Sequence, residues 1–224
     1  MNRIINRGLF FFTCLIVLTS GKPKDLGDVV LNDLIQETQY HLDKGGQQEV
    51  RMVWWLPTEF WATIYAQNDD VSEEVADQIV EALDEYTMVI VLDGEVTTLG
   101  GLKSKSSKEI RGNTIVKNEE GRSFSPLKPG DIDGEAEMML TILKPVFSNL
   151  LGKMGESMEL MMFTDKGKSI INPYKEGGEI IYDRTNLDLG LPLSSLLEDK
   201  KCPEDDKVMN AKWDYCPYHG VKLD

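Results

Sequence analysis

The residues most able to do chemistry sit close together near the C-terminus. The stretch reads Cys202-Pro-Glu-Asp205-Asp206-Lys207, then Trp213-Asp-Tyr-Cys216-Pro-Tyr-His219-Gly220. Thiolate, imidazole and carboxylate are the groups that zinc accepts in a tetrahedral site. Two thiols in an oxidising compartment can instead join to each other. The chain has 3 cysteines and 2 histidines in all. Cys14 lies in an apolar N-terminal run and His41 far upstream, so this tail holds the sulfur and imidazole that could act together.

With Cys202-Pro203, Tyr215-Cys216-Pro217 and Gly220, the tail resembles a zinc ribbon, in which two Cys-Pro-x-Cys-Gly knuckles are joined by a hairpin. The resemblance covers about residues 200–224. It departs from the family at the ligands: Asp205 stands where the first knuckle has its second cysteine, and His219 where the second knuckle has its own. The resemblance implies a Cys202, Asp205, Cys216, His219 ligand set for zinc, fully closed and therefore structural. The alternative is a Cys202–Cys216 disulfide. Closing a loop of about 15 residues is worth about 3 kcal/mol on the chain-entropy model.

Other chemistry-bearing residues have simpler explanations. Met154, Met158, Met161 and Met162 could bind Cu(I) through thioethers, yet their apolar setting suits a core strand. Trp54, Trp55 and Trp61 could stack on sugars or fill a core. Asp131-Ile-Asp133-Gly134-Glu135 fails the calcium-loop pattern, with Ala136 and Ile142 at the Gly and Glu positions, and capping a helix explains its acids. His41 reads as complementing a helix end. No Gly-x-Ser-x-Gly elbow or His-Glu-x-x-His pair is present. The expectation is a non-catalytic binding or structural module, partnered by an unknown protein or small ligand. A zinc or copper envelope protein and an extracytoplasmic hydrolase are the alternatives.

The N-terminus bears on which sulfur chemistry applies. Arg3 and Arg7 precede the apolar Leu9–Leu18, followed by Thr19, Ser20 and Gly21. That order reads as a signal peptide over 1–21, and the apolar run is half of the ~20 residues a membrane span needs. The chain is expected to be exported, periplasmic or secreted, with no stable membrane span after cleavage. Losing Arg3 and Arg7 would take the net charge from −14 to −16. Such an acidic surface repels nucleic acid phosphates, so nucleic acid is not an expected partner.

The elements that must position the tail read as α+β, a mostly antiparallel sheet packed against helices, over residues 22–199, with the ribbon-like tail over 200–224. Helices are expected over 25–43, stopped by Gly45-Gly46, from a cap at Thr58, from Ser72 to about 86, from Asp131 to about 151 with a kink at Pro145, and over 193–198. Val75, Ile79 and Leu83 form the apolar stripe of the Ser72 helix, opposite a wet face of Glu73, Asp77, Glu81 and Glu85. Strands are expected over 49–56, 87–92, 158–163 and 179–183. Asp93-Gly94 predicts a tight hairpin turn into 95–99, broken by Gly100-Gly101. A second hairpin is expected over 113–117 and 122–125, with a helical turn capped by Ser106 or Ser107 before it.

Overall fold

The computed structural model describes residues 21–42, 48–68, 71–98 and 101–223, without the side chains of 142, 144, 146–151 and 153. The expected signal peptide (all but Gly21), the Gly45-Gly46 stop and Leu99-Gly100 lie outside the described residues.

The chain is α+β with antiparallel sheets. A 3-10 turn, Leu26–Asp28, leads into α1 (Leu31–Thr38) and then β1 (Gln39–His41). The expected single helix over 25–43 is therefore short, and its end is a strand. Gln39, Tyr40 and His41 pair with Trp54, Val53 and Met52 of β2 (Glu49–Leu56), so the backbone bonds go to the sheet. His41 is an exposed strand residue, which corrects its reading as a helix-end cation.

After β2 come α2 (Thr58–Ala66), α3 (Glu73–Asp84) and β3 (Thr87–Val96). Pro57, not Thr58, precedes the first turn of α2, where a missing N–H costs no helical bond. Ser72 does stand at the start of α3, though its hydroxyl makes no capping bond. The wet face of α3 is as expected, but Val75 is exposed rather than part of the apolar stripe.

β3 runs straight through Asp93-Gly94, which corrects the expected turn. Asp93 pairs with Arg51 and Gly94 with Val50 of β2. A Cβ on Gly94 would meet the Lys103 carbonyl at 2.8 Å, so glycine serves the close approach of β4 (Leu102–Ser104) rather than a turn. The chain turns later, where Thr97 N–H donates to the Gly101 carbonyl at 2.7 Å.

α4 (Ser107–Gly112) has a full capping box from Ser106 and Glu109. β5 (Thr114–Lys117) and β6 (Ser123–Phe124) form the expected hairpin. Then follow α5 (Gly134–Leu151), α6 (Lys153–Glu156), β7 (Glu159–Phe163), β8 (Glu179–Tyr182) and β9 (Thr185–Leu187). Asp133, not Asp131, caps α5, accepting from Glu135 N at 3.0 Å and Ala136 N at 2.9 Å. Where a helix was expected over 193–198, the chain makes a short 3-10 turn, Ser194–Leu196.

Two sheets result. β1-β2-β3-β4 make one, with β7 joined to β3; β6-β5-β8-β9 make the other. The first sheet is covered on both faces. Trp54 donates to Thr38 on α1 and meets Phe60 of α2 edge-on, so its face lies under helices. Residues on the opposite face, with Trp55 and Asp93, turn toward the second sheet, where Tyr182 donates to Asp93 at 2.7 Å. Trp54, Trp55 and Trp61 are 8%, 0% and 5% exposed, so they fill the core and offer no ring to a sugar. Among the described residues, no helix is long and apolar enough to cross a membrane.

Candidate metal centre

The tail begins with β10 (Lys200–Lys201), paired to β11 (Val208–Met209). Between them Cys202 opens a tight loop. Its N–H donates to the Lys207 carbonyl at 2.9 Å, and its carbonyl accepts from Asp206 N at 2.8 Å. Fourteen positions on, Cys216 repeats this: its N–H donates to the Val221 carbonyl at 2.8 Å, and its carbonyl accepts from Gly220 N at 2.8 Å. Both loops need a left-handed residue at the same place, Asp206 at φ 56° and Gly220 at φ 67°. The two knuckles thus share one backbone design.

That design aims donors at sulfur. The N–H groups of Glu204 and Asp205 point to the Cys202 sulfur, and those of Tyr218 and His219 to the Cys216 sulfur. Proline follows each cysteine, where no donor is needed. Burial pushes the Cys202 thiol up; the Glu204 and Asp205 N–H groups oppose this, while the Cys216 sulfur and the Asp205 carboxylate add to it. Burial pushes Cys216 up too, but the His219 and Tyr218 N–H groups outweigh it and lower its pKa. One sulfur is therefore biased towards the thiol and its neighbour towards the thiolate.

His219 completes the cluster. Its Nδ1 lies 3.2 Å from Cys202 Sγ and 3.6 Å from Cys216 Sγ. The ligand atoms of Cys202, Cys216 and His219 all fall within 4.8 Å of one another. Zinc with ordinary Zn–S and Zn–N bonds in a tetrahedron would hold sulfur and nitrogen about 3.5 Å apart. The three groups fit such an ion with little movement. Both cysteines are free.

Asp205 is not part of this close group. It occupies the first knuckle at the position that His219 takes in the second. Its carboxylate pairs with Lys207 Nζ at 2.9 Å and accepts from Lys207 N at 3.3 Å. Lys207 first, then the Cys202 thiol, hold its pKa below the usual carboxylate range. Lys207 also lies 5.6 Å from the centre of the Tyr218 ring. The sequence pattern of ligands does not reveal this restraint.

The cluster has little else beneath it. Cys202, Met209, Cys216 and Leu223 are its buried residues, separate from the main core. Around it the surface is aromatic: Trp213, Tyr215 and Tyr218 are 45%, 62% and 73% exposed. Contacts to the body are polar. Asn210 donates to Ser194 Oγ at 3.4 Å and Lys212 to the Gly190 carbonyl at 2.8 Å. Ser194 and Ser195 in turn donate, by N–H and hydroxyl, to the Glu37 carboxylate on α1. Burial raises the Glu37 pKa, but these donors outweigh it and the net shift is downward.

The methionine group goes elsewhere. Met158, Met161 and Met162 are buried in and beside β7 as core residues, and Met154 is exposed. A feature with no motif to announce it lies between α2, α3 and the 167–173 loop. There a cleft of about 790 Å³ is lined by Glu59 and Asp84, among others. Burial, with the Asp84 charge adding, pushes the Glu59 carboxyl up to about 7 against its own N–H.

No family model, curated protein or solved structure matches the chain.

Proposed function

We propose that this is an exported, non-catalytic interaction module whose C-terminal ribbon is pinned by one zinc ion on Cys202, Cys216 and His219, with Asp205 as the fourth ligand. The carrying observation is the approach of an imidazole nitrogen to 3.2 Å and 3.6 Å from two sulfurs, with all three ligand atoms within 4.8 Å of one another. Asp205 reaches the ion by leaving Lys207, which its knuckle position allows. A closed site of this kind orders a hairpin and leaves no position for substrate. The exposed Trp213, Tyr215 and Tyr218 then become the ordered face that meets a protein partner or small ligand. With a net charge of −14, nucleic acid is disfavoured as that partner.

Elemental analysis of purified protein, with thiols counted after unfolding in chelator, tests the metal. One zinc per chain and two thiols support it. No metal and no thiol would replace it with the Cys202–Cys216 disulfide, and copper in place of zinc would change the ion. The Asp205→Asn variant is expected to lower zinc affinity, because a neutral amide is a weaker zinc ligand than a carboxylate. Export is tested by the mass of the mature protein: loss of about residues 1–21 supports it, and an intact Met1 in the cytoplasm overturns it.

One observation favours a second reading, an extracytoplasmic hydrolase. A carboxyl that burial pushes up to about 7, beside a second carboxylate in a cleft, suits general acid–base work. Turnover of a glycoside, ester or peptide library that Glu59→Gln abolishes would support this reading. Turnover unchanged by that substitution, or none at all, would leave the interaction module.

A further inference from the structure

We propose that the cleft beneath α5 is a binding site for a small amphipathic cation, an alkyl or aryl ammonium. The cleft encloses about 640 Å³ between α5 and the β7 edge of the first sheet. That lies within the ~300–1,000 Å³ of small-molecule sites. Its walls are mainly apolar, with Leu140 from α5, Leu160 and Met162 from β7, and Leu127 from the segment alongside.

Three charged side chains reach this apolar space, and their pairing selects the ligand. Arg111 Nη1 donates to Glu159 Oε1 at 3.0 Å, and Arg111 Nη2 donates to the Leu127 carbonyl. The guanidinium is therefore engaged on two sides. Glu137 lines the mouth from α5, one turn before Thr141, and no cation pairs with it among the described side chains. One Arg against two Glu leaves the described lining one charge negative, on a chain of net charge −14. Local and global fields both draw in cations. An ammonium placed between Glu159 and Glu137 leaves its hydrocarbon for Leu140, Leu160 and Met162. An anionic amphiphile would have to take Arg111 from Glu159, and breaking a partly desolvated pair is unfavourable. A neutral amphiphile gains only the apolar walls.

No ribbon residue lines this cleft, so its ligand and the ribbon metal are tested separately. Calorimetry on the full chain at pH 7 would compare n-octylamine, n-octanol and n-octanoate. The expected result is one octylamine per chain, bound at least about ten-fold more tightly than octanol, with octanoate weakest. Glu137→Gln should remove most of the octylamine preference and leave octanol unchanged. Glu159→Gln should free Arg111 and shift the preference towards octanoate. Leu140→Trp, which fills the cleft, should abolish octylamine binding. Melting curves would check that each variant folds; Glu137→Gln, at an exposed position, decides the matter if Leu140→Trp does not. Equal binding of all three probes, a wild-type preference for octanoate, or no octylamine binding up to about 1 mM would overturn the proposal. So would octylamine binding that persists in folded Leu140→Trp.

Discussion

The body and the ribbon solve the same problem with different means. The body buries tryptophan, methionine and branched side chains on both faces of its first sheet. The ribbon's own cluster holds four buried residues among those described, and two of them are cysteines. Burial of an apolar side chain contributes about 1.5–3 kcal/mol, so Met209 and Leu223 alone fall short of the ordering cost of some twenty residues. Units this small commonly draw on a disulfide or a bound metal for their order. On the proposed zinc reading, the ribbon's order depends on chemistry at one point, while the body's order is spread over many contacts.

The sharpest break should come at Cys216. Cys216→Ser removes the sulfur whose pKa the knuckle lowers, and zinc affinity should fall by well over 100-fold, beyond the effect of losing a supporting group. Amide exchange over 200–223 should then approach that of an unfolded chain, while β2 and β3 keep their protection. Uniform loss of protection across both regions would show that the two do not order separately.

Trp55→Ala is the reverse experiment. Trp55 is fully buried in the main core, and its loss should cost about 3–5 kcal/mol. Denaturant unfolding would measure this, and zinc content per folded chain should stay at the wild-type value.

Within the body, Asp93 places a charge in the apolar layer. It is 4% exposed and accepts from Lys105 at 2.8 Å, Tyr182 at 2.7 Å and Arg51 at 3.2 Å. Burial raises its pKa, but Lys105, Tyr182 and Arg51 outweigh this and the net shift is downward. A carboxyl with a depressed folded pKa contributes stability above its unfolded value, near 3.9, and that stability is lost as pH falls through the folded value. Asp93→Asn should therefore destabilise the protein at pH 7 by about 2 kcal/mol, with a smaller penalty below pH ~4. Urea titrations across pH 2–7 would show the two curves converging in acid.

How much of this was legible in the sequence follows from the range of each interaction. Turn residues and apolar runs are local signals, so a cap at one of Ser106 and Ser107, the β5–β6 hairpin and the strands at 49–56 and 158–163 could be read directly, whereas the caps read at Thr58 and Asp131 fell one and two residues from the true ones. Asp93-Gly94 misled because its local turn preference is overridden from outside the segment. Arg51 pairs across the sheet, and Lys103 presses on Gly94. Residues 39–41 became a strand because β2 offers them partners that a helix end does not. The tail chemistry was visible because cysteine, proline and histidine are rare and closely spaced. The Lys207 restraint on Asp205 and the elevated pKa of Glu59 were not, since both depend on side-chain geometry and burial.

The smallest expected effect concerns the seam between the two regions. Asn210 reaches Ser194 Oγ at a long 3.4 Å, and Ser194 is already held by Glu37. A single neutral hydrogen bond of this kind is worth about 0.5–1.5 kcal/mol, and its length places it at the low end. Asn210→Ala should lower body stability by no more than about 0.5 kcal/mol, yet it should speed amide exchange at Ser194 and Ser195 without changing zinc affinity. That pattern would mean the ribbon is built by its sulfurs and only leans on the body. If Asn210→Ala instead weakened zinc binding, the body would be helping to shape the site, and the contrast between distributed and single-point order would have to be withdrawn.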